Sequence, residues 1–146
     1  ATIAGPQDMS AGIDRLKGYR AEMAASDRRS LIATGDFTRA SGEEAMTQLL
    51  ADDPDLDAVF VANDPMAAGA LRALRRAGRR VPDDVAVVGF DDMEFASYTE
   101  PPLTTVRQPI TEIGRTVARQ LLQVVEGKEI ERVVVLPTEL VIRESA

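Results

Sequence analysis

Short apolar runs alternate with longer amphipathic stretches along the first part of the chain. The runs lie at 2–5, 31–35, 57–62 and 85–90, and each is bounded by Gly, Pro, Asp or Asn. Brief, continuous apolar runs between turn-forming residues are typical of strands buried in a parallel sheet. The pattern therefore predicts four parallel strands.

The stretches between these runs carry apolar residues at helical spacing. Ser10 is expected to cap the first helix, and a capping box at 41–44 is expected to begin the second. Asn63 or Asp64 is expected to cap the third, which ends at Gly78. The residues predicted to face inward are Ile13, Leu16 and Met23 in the first helix, Met46, Leu49 and Leu50 in the second, and Ala67, Ala70, Leu71 and Leu74 in the third.

This alternation of strands and helices predicts the fold class. Strand–helix–strand units at this spacing form right-handed crossovers. We therefore expect an α/β protein with an open parallel sheet and helices on both of its faces.

The alternation of apolar runs and amphipathic stretches changes after the fourth run. The sequence predicts a short helix or turn over 91–98 and a further strand over 103–107. Pro109 suits the first position of a helix whose apolar stripe is Ile110, Ile113, Val117, Leu121 and Val125. Residues 132–136 and 139–142 resemble one last long strand, broken by a proline.

Polar and aromatic side chains follow three of the predicted strands, at the edge where open parallel sheets bind ligands. Phe37 follows the second strand, Asn63 the third and Asp91 the fourth. Arg15, early in the first helix, is long enough to reach back over the same edge. These four residues are the candidate ligand-binding residues.

The four side chains suit a small polyhydroxylated ligand. A carboxylate accepts hydrogens from hydroxyl groups, an amide donates and accepts, and a guanidinium offers a fork of donors. Phe37 can lie against the apolar face of a sugar or a purine. Each residue also has a purely structural interpretation, as a cap, a turn former, a solvated cation or a core ring, so the hypothesis depends on their convergence at one edge.

Composition narrows the classes of function. The 146 residues include no His and no Cys, which excludes zinc and iron–sulfur sites, histidine and thiol catalysis, and disulfides. We expect no metal and no other cofactor. The formal charge of −7 makes this segment a poor binder of DNA, and no apolar run approaches the roughly 20 residues that span a membrane.

Two charged clusters have weaker functional interpretations. The arginines between 72 and 80 could form a phosphate or DNA patch, but cations near a helix C-terminus are better explained by the helix dipole. Asp91 and Asp92 could belong to an acidic receiver-type pocket, but the lysine that it needs is not well placed. A hydrolase built on Asp36, Asp91 and Asp92 is the enzyme alternative, and without any nucleotide or nucleophile motif we expect no catalysis.

Several strings, taken in order, resemble the lactose-repressor (LacI/GalR) family. They are Arg15-Leu16-Lys17-Gly18-Tyr19, Gly35-Asp36-Phe37-Thr38, Val61-Ala62-Asn63-Asp64-Pro65-Met66-Ala67, Val81-Pro82-Asp83-Asp84-Val85, Gly89-Phe90-Asp91-Asp92, Pro101-Pro102-Leu103-Thr104-Thr105-Val106 and Leu136-Pro137-Thr138-Glu139-Leu140. One such string would be a weak signal, whereas the ordered series extends along almost the whole chain.

This resemblance implies a bacterial transcription regulator whose effector domain has the two-lobed periplasmic-binding-protein fold. A small molecule, often a sugar or nucleobase, is then expected to bind between the lobes and to change the affinity for operator DNA. The family's effector contacts carry over onto Arg15, Phe37, Asn63 and Asp91. The resemblance also implies a cytoplasmic homodimer, with candidate contacts at 93–98 and 65–77, and DNA contact only through an N-terminal head outside this segment.

By the same resemblance, residues 1–103 form most of the C-terminal lobe, residues 104–130 cross to an N-terminal lobe absent here, and residues 131–146 return. The crossing helix would then lack its partner. The soluble receptor of an ABC sugar transporter, which shares the fold, is the alternative function. The regulator is favoured because the Val-Pro-Asp-Asp-Val and Pro-Pro-Leu-Thr-Thr strings resemble those of regulators.

Overall fold

The computed structural model describes residues 1–26 and 29–146. In these residues the chain forms six strands, which are β1 (Thr2–Ala4), β2 (Ile32–Thr34), β3 (Ala58–Val61), β4 (Ala86–Asp91), β5 (Thr104–Arg107) and β6 (Glu139–Val141). It also forms four α-helices, which are α1 (Ser10–Ala25), α2 (Arg39–Asp52), α3 (Asp64–Arg76) and α4 (Ile110–Val125). A short 3-10 helix, Glu94–Tyr98, lies between β4 and β5.

The strands form one sheet in the order β2-β1-β3-β4-β5-β6. Strands β1 to β5 are parallel, and β6 runs antiparallel to β5 at the edge. The chain moves outward from β1 to β2 and then back past β1 to β3, so right-handed crossovers place α1 on one face and α2 and α3 on the other. The α/β class and the predicted strands are confirmed, and the antiparallel edge makes the sheet mixed rather than wholly parallel.

The hydrophobic core lies between the sheet and helices α2 and α3. Its fully buried side chains include Ile3, Val61 and Val87 from the strands and Met46, Leu49, Met66 and Leu74 from the helices. The inward faces predicted for α2 and α3 are confirmed, with Leu50 partly buried at the margin of the core.

Helices α2 and α3 pack with their backbones in close approach. A Cβ atom on Gly42 would overlap the carbonyl oxygen of Met66, and one on Gly69 would overlap the carbonyl oxygen of Arg39. Because the obstructing atoms belong to backbone, no side-chain rotation could make room. The two glycines therefore allow α2 and α3 to pack at this distance.

The starts of α1 and α2 differ from the prediction. Thr38 is the N-cap of α2, since its hydroxyl oxygen accepts a hydrogen bond from the backbone N–H of Ser41 at 3.2 Å. Ser41 thus lies inside the first turn and is not the cap. Met9 occupies the N-cap position of α1 with no side-chain capping bond, so the cap predicted at Ser10 is also wrong.

Helix α1 buries less than its sequence pattern predicts. Gly12 and Leu16 are its buried residues, whereas Ile13 is 44% exposed and Met23 is partly exposed. Gly12 lies against the backbone of Gly5, and this close approach turns the following residue, Ile13, away from the protein. The predicted inward position of Ile13 is therefore wrong.

The segment after β4 also corrects the prediction. β5 pairs in parallel with β4, which confirms the strand predicted at 103–107. In the described structure residues 132–136 form no strand, because no neighbouring strand lies beside them to supply hydrogen bonds. Of the last strand that was predicted, Glu139–Val141 forms β6.

Helix α4 forms at the predicted place but buries none of its residues. Its apolar stripe is exposed, with Val117 at 60% and Leu121 at 62%. Pro109 is the N-cap residue and Gly127 ends the helix at φ 72°, close to the predicted limits. None of the helices in the described residues combines the length and the apolar character that crossing a membrane requires.

Candidate functional site

Three residues with side chains adopt left-handed backbone angles at the carboxyl edge of the sheet. They are Phe37 at φ 70° after β2, and Asp91 at φ 113° and Asp92 at φ 53° at the end of β4. Such angles cost roughly 1–3 kcal/mol per residue and occur most often at binding and catalytic sites. The backbone of the described residues is therefore strained at this edge of the sheet.

Arg15 lies across this edge and contacts two strand ends. Its Nη1 donates to the carbonyl oxygen of Ala62 at 2.6 Å, and its Nη2 lies 3.4 Å from Oδ1 of Asp91. The guanidinium stacks on the Phe90 ring, 3.8 Å from the ring centroid. Burial lowers the pKa of Arg15, and Asp91 opposes that shift, so the guanidinium stays charged beside the carboxylate.

Asp91 is the carboxylate of the site. Its Oδ1 accepts hydrogen bonds from Arg15 and from Nε2 of Gln108, the latter at 2.7 Å. Burial raises the pKa of Asp91, while the nearby Arg15 charge and the Gln108 hydrogen bond act in the opposite direction. Within the described residues Oδ2 of Asp91 accepts no hydrogen bond, so one oxygen remains available to a ligand.

Asn63 links two of the strand ends. Its Oδ1 accepts a hydrogen bond from the backbone N–H of Met66 at 2.9 Å, which confirms that it caps α3. Its Nδ2 donates to the carbonyl oxygen of Phe37 at 3.0 Å. The ring of Phe37 lies directly over Gly5, where a Cβ atom would overlap it. One amide therefore fixes both a helix start and the left-handed turn at Phe37.

The four predicted residues are thus brought together at one edge. Arg15 contacts Asp91, Asn63 contacts Phe37, and Arg15 joins the two pairs through the carbonyl oxygen of Ala62, the residue before Asn63. Ligand contact by these residues stays a prediction, because their mutual bonds also have structural roles.

Asp36 and Asp64, which also lie at this edge, form their hydrogen bonds with residues outside the cluster. Asp36 is exposed, and hydrogen bonds from Thr38 lower its pKa to about 2. Asp64 is fully buried and accepts hydrogen bonds from Thr105 and from the Met93 backbone; burial raises its pKa. In the described residues no group of three or more acidic side chains is arranged to hold a metal ion.

Three arginines of the basic run form ion pairs with nearby carboxylates. Arg72 and Arg76 both pair with Glu43 of α2, and Arg80 pairs with Asp83 and Asp84. These pairs agree with the structural interpretation of the basic run.

Two residues of the site were missed by the sequence reasoning. Gln108 follows β5 and donates to Asp91, and Phe90 supplies the ring under Arg15. Gln108 could have been found from its position, since it directly follows a predicted strand and therefore lies at the same edge. Phe90 carried no signal beyond an apolar residue in a strand.

Replacing Asn63 separates its two roles. We expect Asn63→Ala to lower the free energy of unfolding by about 1–2 kcal/mol, because the helix loses its cap. Asn63→Asp should keep most of that stability, since a carboxylate also accepts from Met66 N–H, but it removes the donor to Phe37. Thermal melts with and without ligand make the measurement, with Thr38→Ala as the matched loss of a cap. If Asn63→Asp and Thr38→Ala reduce ligand affinity equally, the assignment of Asn63 to the site is wrong.

The chain is similar to known proteins over almost its whole length. The family model described as periplasmic binding protein-like domain matches residues 1–146. The HTH-type transcriptional regulator CelR of Thermobifida fusca is 52% identical over 149 residues, which cover 99% of this chain and 44% of CelR. The chain therefore spans less than half the length of this curated relative.

Solved structures of two regulators match the whole fold. A complex of the transcriptional regulator CelR with cellobiose has a TM-score of 0.95 at 52% identity, over 100% of this chain and 46% of the other. A lac repressor dimer bound to operator and the anti-inducer ONPF has a TM-score of 0.94 at 36% identity, over 99% of this chain and 51% of the other. Both solved structures are of transcriptional regulators.

Proposed function

Because the chain belongs to the LacI family of transcriptional regulators, we propose that it is the effector-binding part of a longer bacterial regulator whose ligand is a small saccharide. The observation that carries the proposal is the cluster of Arg15, Phe37, Asn63 and Asp91 at the sheet edge of a fold that matches CelR bound to cellobiose. Cellobiose is therefore the first effector to test.

The cluster offers the contacts that a sugar needs. Oδ2 of Asp91 can accept a hydroxyl hydrogen, and Arg15 uses two of its five N–H groups within the described structure, which leaves donors for hydroxyl oxygens. The exposed part of the Phe37 ring offers an apolar surface to the C–H groups of a pyranose. Binding here is recognition without a chemical step.

A second lobe, formed by chain outside these residues, completes the site in this proposal. The segment from Gln108 to Thr138 leaves the sheet and carries an exposed apolar helix, α4, which is expected to pack in that lobe. Gln108 lies at the junction and bonds to Asp91, so the position of the second lobe and the ligand carboxylate are connected.

The regulator would act by a shift between two arrangements of its lobes. A ligand changes the affinity for operator DNA when it binds one arrangement better than the other. With a charge of −7, these residues leave DNA contact to another part of the protein.

We propose a cytoplasmic homodimer, with the 3-10 helix at 94–98 and the outer face of α3 as its contacts, since Tyr98 is 80% exposed.

The test uses the full-length regulator. Cellobiose is titrated by calorimetry, and operator affinity is measured by fluorescence anisotropy with and without the sugar. We expect saturable binding and a change in operator affinity of about 5–150-fold. Ribose and adenine serve as probes of other effector classes. Saturable binding with unchanged operator affinity would favour the transport receptor, and no binding of any probe would contradict the proposed sugar site.

A further inference from the structure

The ligand carboxylate sits on a turn that the chain would not adopt by itself. Asp91 and Asp92 are consecutive residues with side chains at φ 113° and φ 53°. Each such residue is strained and persists only when its surroundings hold it in place. The orientation of the Asp91 carboxylate therefore depends on whatever fixes the turn.

Asp92 is held by two arginines, Arg107 at the end of β5 and Arg143 two residues after β6. Its Oδ1 accepts a hydrogen bond from Nη2 of Arg143 at 2.6 Å, and its Oδ2 accepts one from Nε of Arg107 at 2.6 Å. The Asp92 side chain is only 9% exposed. Although burial opposes the shift, the bonds from Arg143 and Arg107 lower the pKa of Asp92, so it stays a carboxylate. Charge-assisted bonds this short are about twice as strong as neutral ones.

The arginines that hold Asp92 are themselves fixed. Arg143 donates through Nη1 to the carbonyl oxygen of Leu103 at 2.8 Å, and its side chain is 19% exposed. Arg107 belongs to β5, which pairs with β4 on one side and with β6 on the other. Asp92 is therefore linked to the end of β5 and to the segment that follows β6.

The buried carboxylate of Asp64 also stabilises the turn at 91–92. The backbone N–H of Met93 donates to Oδ2 of the buried Asp64 at 2.8 Å, and the Thr105 hydroxyl donates to Oδ1 of Asp64 at 2.6 Å. Gly89 leaves room for this carboxylate, which a Cβ atom would overlap. The turn at 91–92 is thus held on its inner side by Asp64 and on its outer side by the two arginines.

We propose that Asp92 is a positioning residue, which, through Arg107 and Arg143, holds the backbone turn that aims the Asp91 carboxylate at the ligand. The inference rests on the proposed function insofar as Asp91 binds the effector. The two carboxylates have separate cationic partners, since Asp91 pairs with Arg15 whereas Asp92 pairs with Arg107 and Arg143.

The test compares Asp92→Asn with Asp84→Asn in the full-length regulator. Asp84 is a matched control, because it also accepts two short arginine bonds, from Nη2 of Arg80 at 2.6 Å and from Nε at 3.1 Å, but lies before the start of β4. One readout is the affinity for cellobiose. The other is the Cα and Cβ chemical shifts of Asp91 in protein labelled on aspartate, which report its backbone angle without any ligand.

We expect Asp92→Asn to weaken cellobiose binding about tenfold, the equivalent of one good hydrogen bond, and to move the Asp91 shifts toward those of an extended residue. Asp84→Asn should leave both unchanged. If Asp92→Asn leaves the Asp91 shifts where they were, the inference is overturned. If the wild type binds no cellobiose, the proposed effector fails, and the shifts alone still decide the role of Asp92.

A milder variant covers the case in which Asp92→Asn does not fold. Arg107 is about half exposed, so Arg107→Gln removes one of the two arginine bonds to Asp92 with little loss of core. We expect about a threefold loss of affinity and a smaller movement of the same Asp91 shifts. A stability loss without any movement of the Asp91 shifts would mean that the arginines act only structurally.

Discussion

Asp91→Asn is expected to weaken effector binding by about 100-fold or more and to remove the response of operator affinity to the sugar. The substitution keeps the size of the side chain but replaces the accepting Oδ2, or the oxygen facing Arg15, by an amide donor. Hydrogen bonds to a charged group contribute about 1.5–3 kcal/mol each, so losing the charge opposite a sugar affects more than one contact.

The measurement is calorimetric titration of cellobiose into wild type and variant, with operator binding followed in parallel. Asp83→Asn is the matched control, because Asp83 is 65% exposed and pairs with Arg80 away from the sheet edge. A variant that binds cellobiose within threefold of wild type would show that Asp91 does not contact the effector.

Asp91 should make the affinity for the effector and the free energy of unfolding respond to pH in opposite directions. Because burial raises the pKa of Asp91 in the folded chain, the group takes up a proton at a higher pH than an ordinary aspartate does. Protonation removes the charge that accepts from sugar hydroxyls, so affinity falls as pH decreases through that raised pKa. Because the folded chain binds this proton more tightly than the unfolded chain does, the contribution of Asp91 to the free energy of unfolding increases as the pH decreases over the same interval.

Gly42→Ala and Gly69→Ala are expected to lower the melting temperature by roughly 5 °C or more, or to prevent folding. Each added methyl group would overlap backbone atoms of the facing helix, and overpacking against backbone costs about 1–3 kcal/mol or more. Far-ultraviolet circular dichroism on heating is the measurement.

Gly18→Ala is the control for these two variants. Gly18 lies in α1, where no atom stands within 4 Å of an added Cβ. Alanine should therefore raise stability by about 0.5–1 kcal/mol, as expected for a glycine in an exposed helix interior. If all three variants changed stability in the same direction, helix propensity rather than close packing would govern Gly42 and Gly69.

The strands and the inward faces of α2 and α3 could be predicted because their signals are local. A buried strand such as β3 or β4 is an unbroken apolar run, and Leu49 or Leu74 recurs at helical spacing. The convergence of Phe37, Asn63 and Asp91 followed from a rule about parallel sheets that needs only the strand ends, and Arg15 was added because a long side chain early in the first helix reaches the same edge.

Other features depend on contacts between distant parts of the chain. The pairing of Asp92 with Arg143 joins residues 51 apart, and no spacing in the sequence indicates it. Thr38 and Ser41 are both good caps, and the turn after β2 decides between them. Residues 132–136 have the composition of a strand, but composition supplies no neighbour for its hydrogen bonds.

The close packing of α2 against α3 makes one side of the proposed ligand site rigid. Phe37 precedes the start of α2, and Asn63 caps α3. Because the close contacts at Gly42 and Gly69 fix the position of α2 relative to α3, they also fix the distance between Phe37 and Asn63. Side chains that are preorganised in this way would lose little conformational entropy on binding the proposed sugar. If the proposed site binds a sugar, the accompanying adjustments are expected on its opposite side, where α1 buries only Gly12 and Leu16 and Gln108 lies where the chain leaves the sheet.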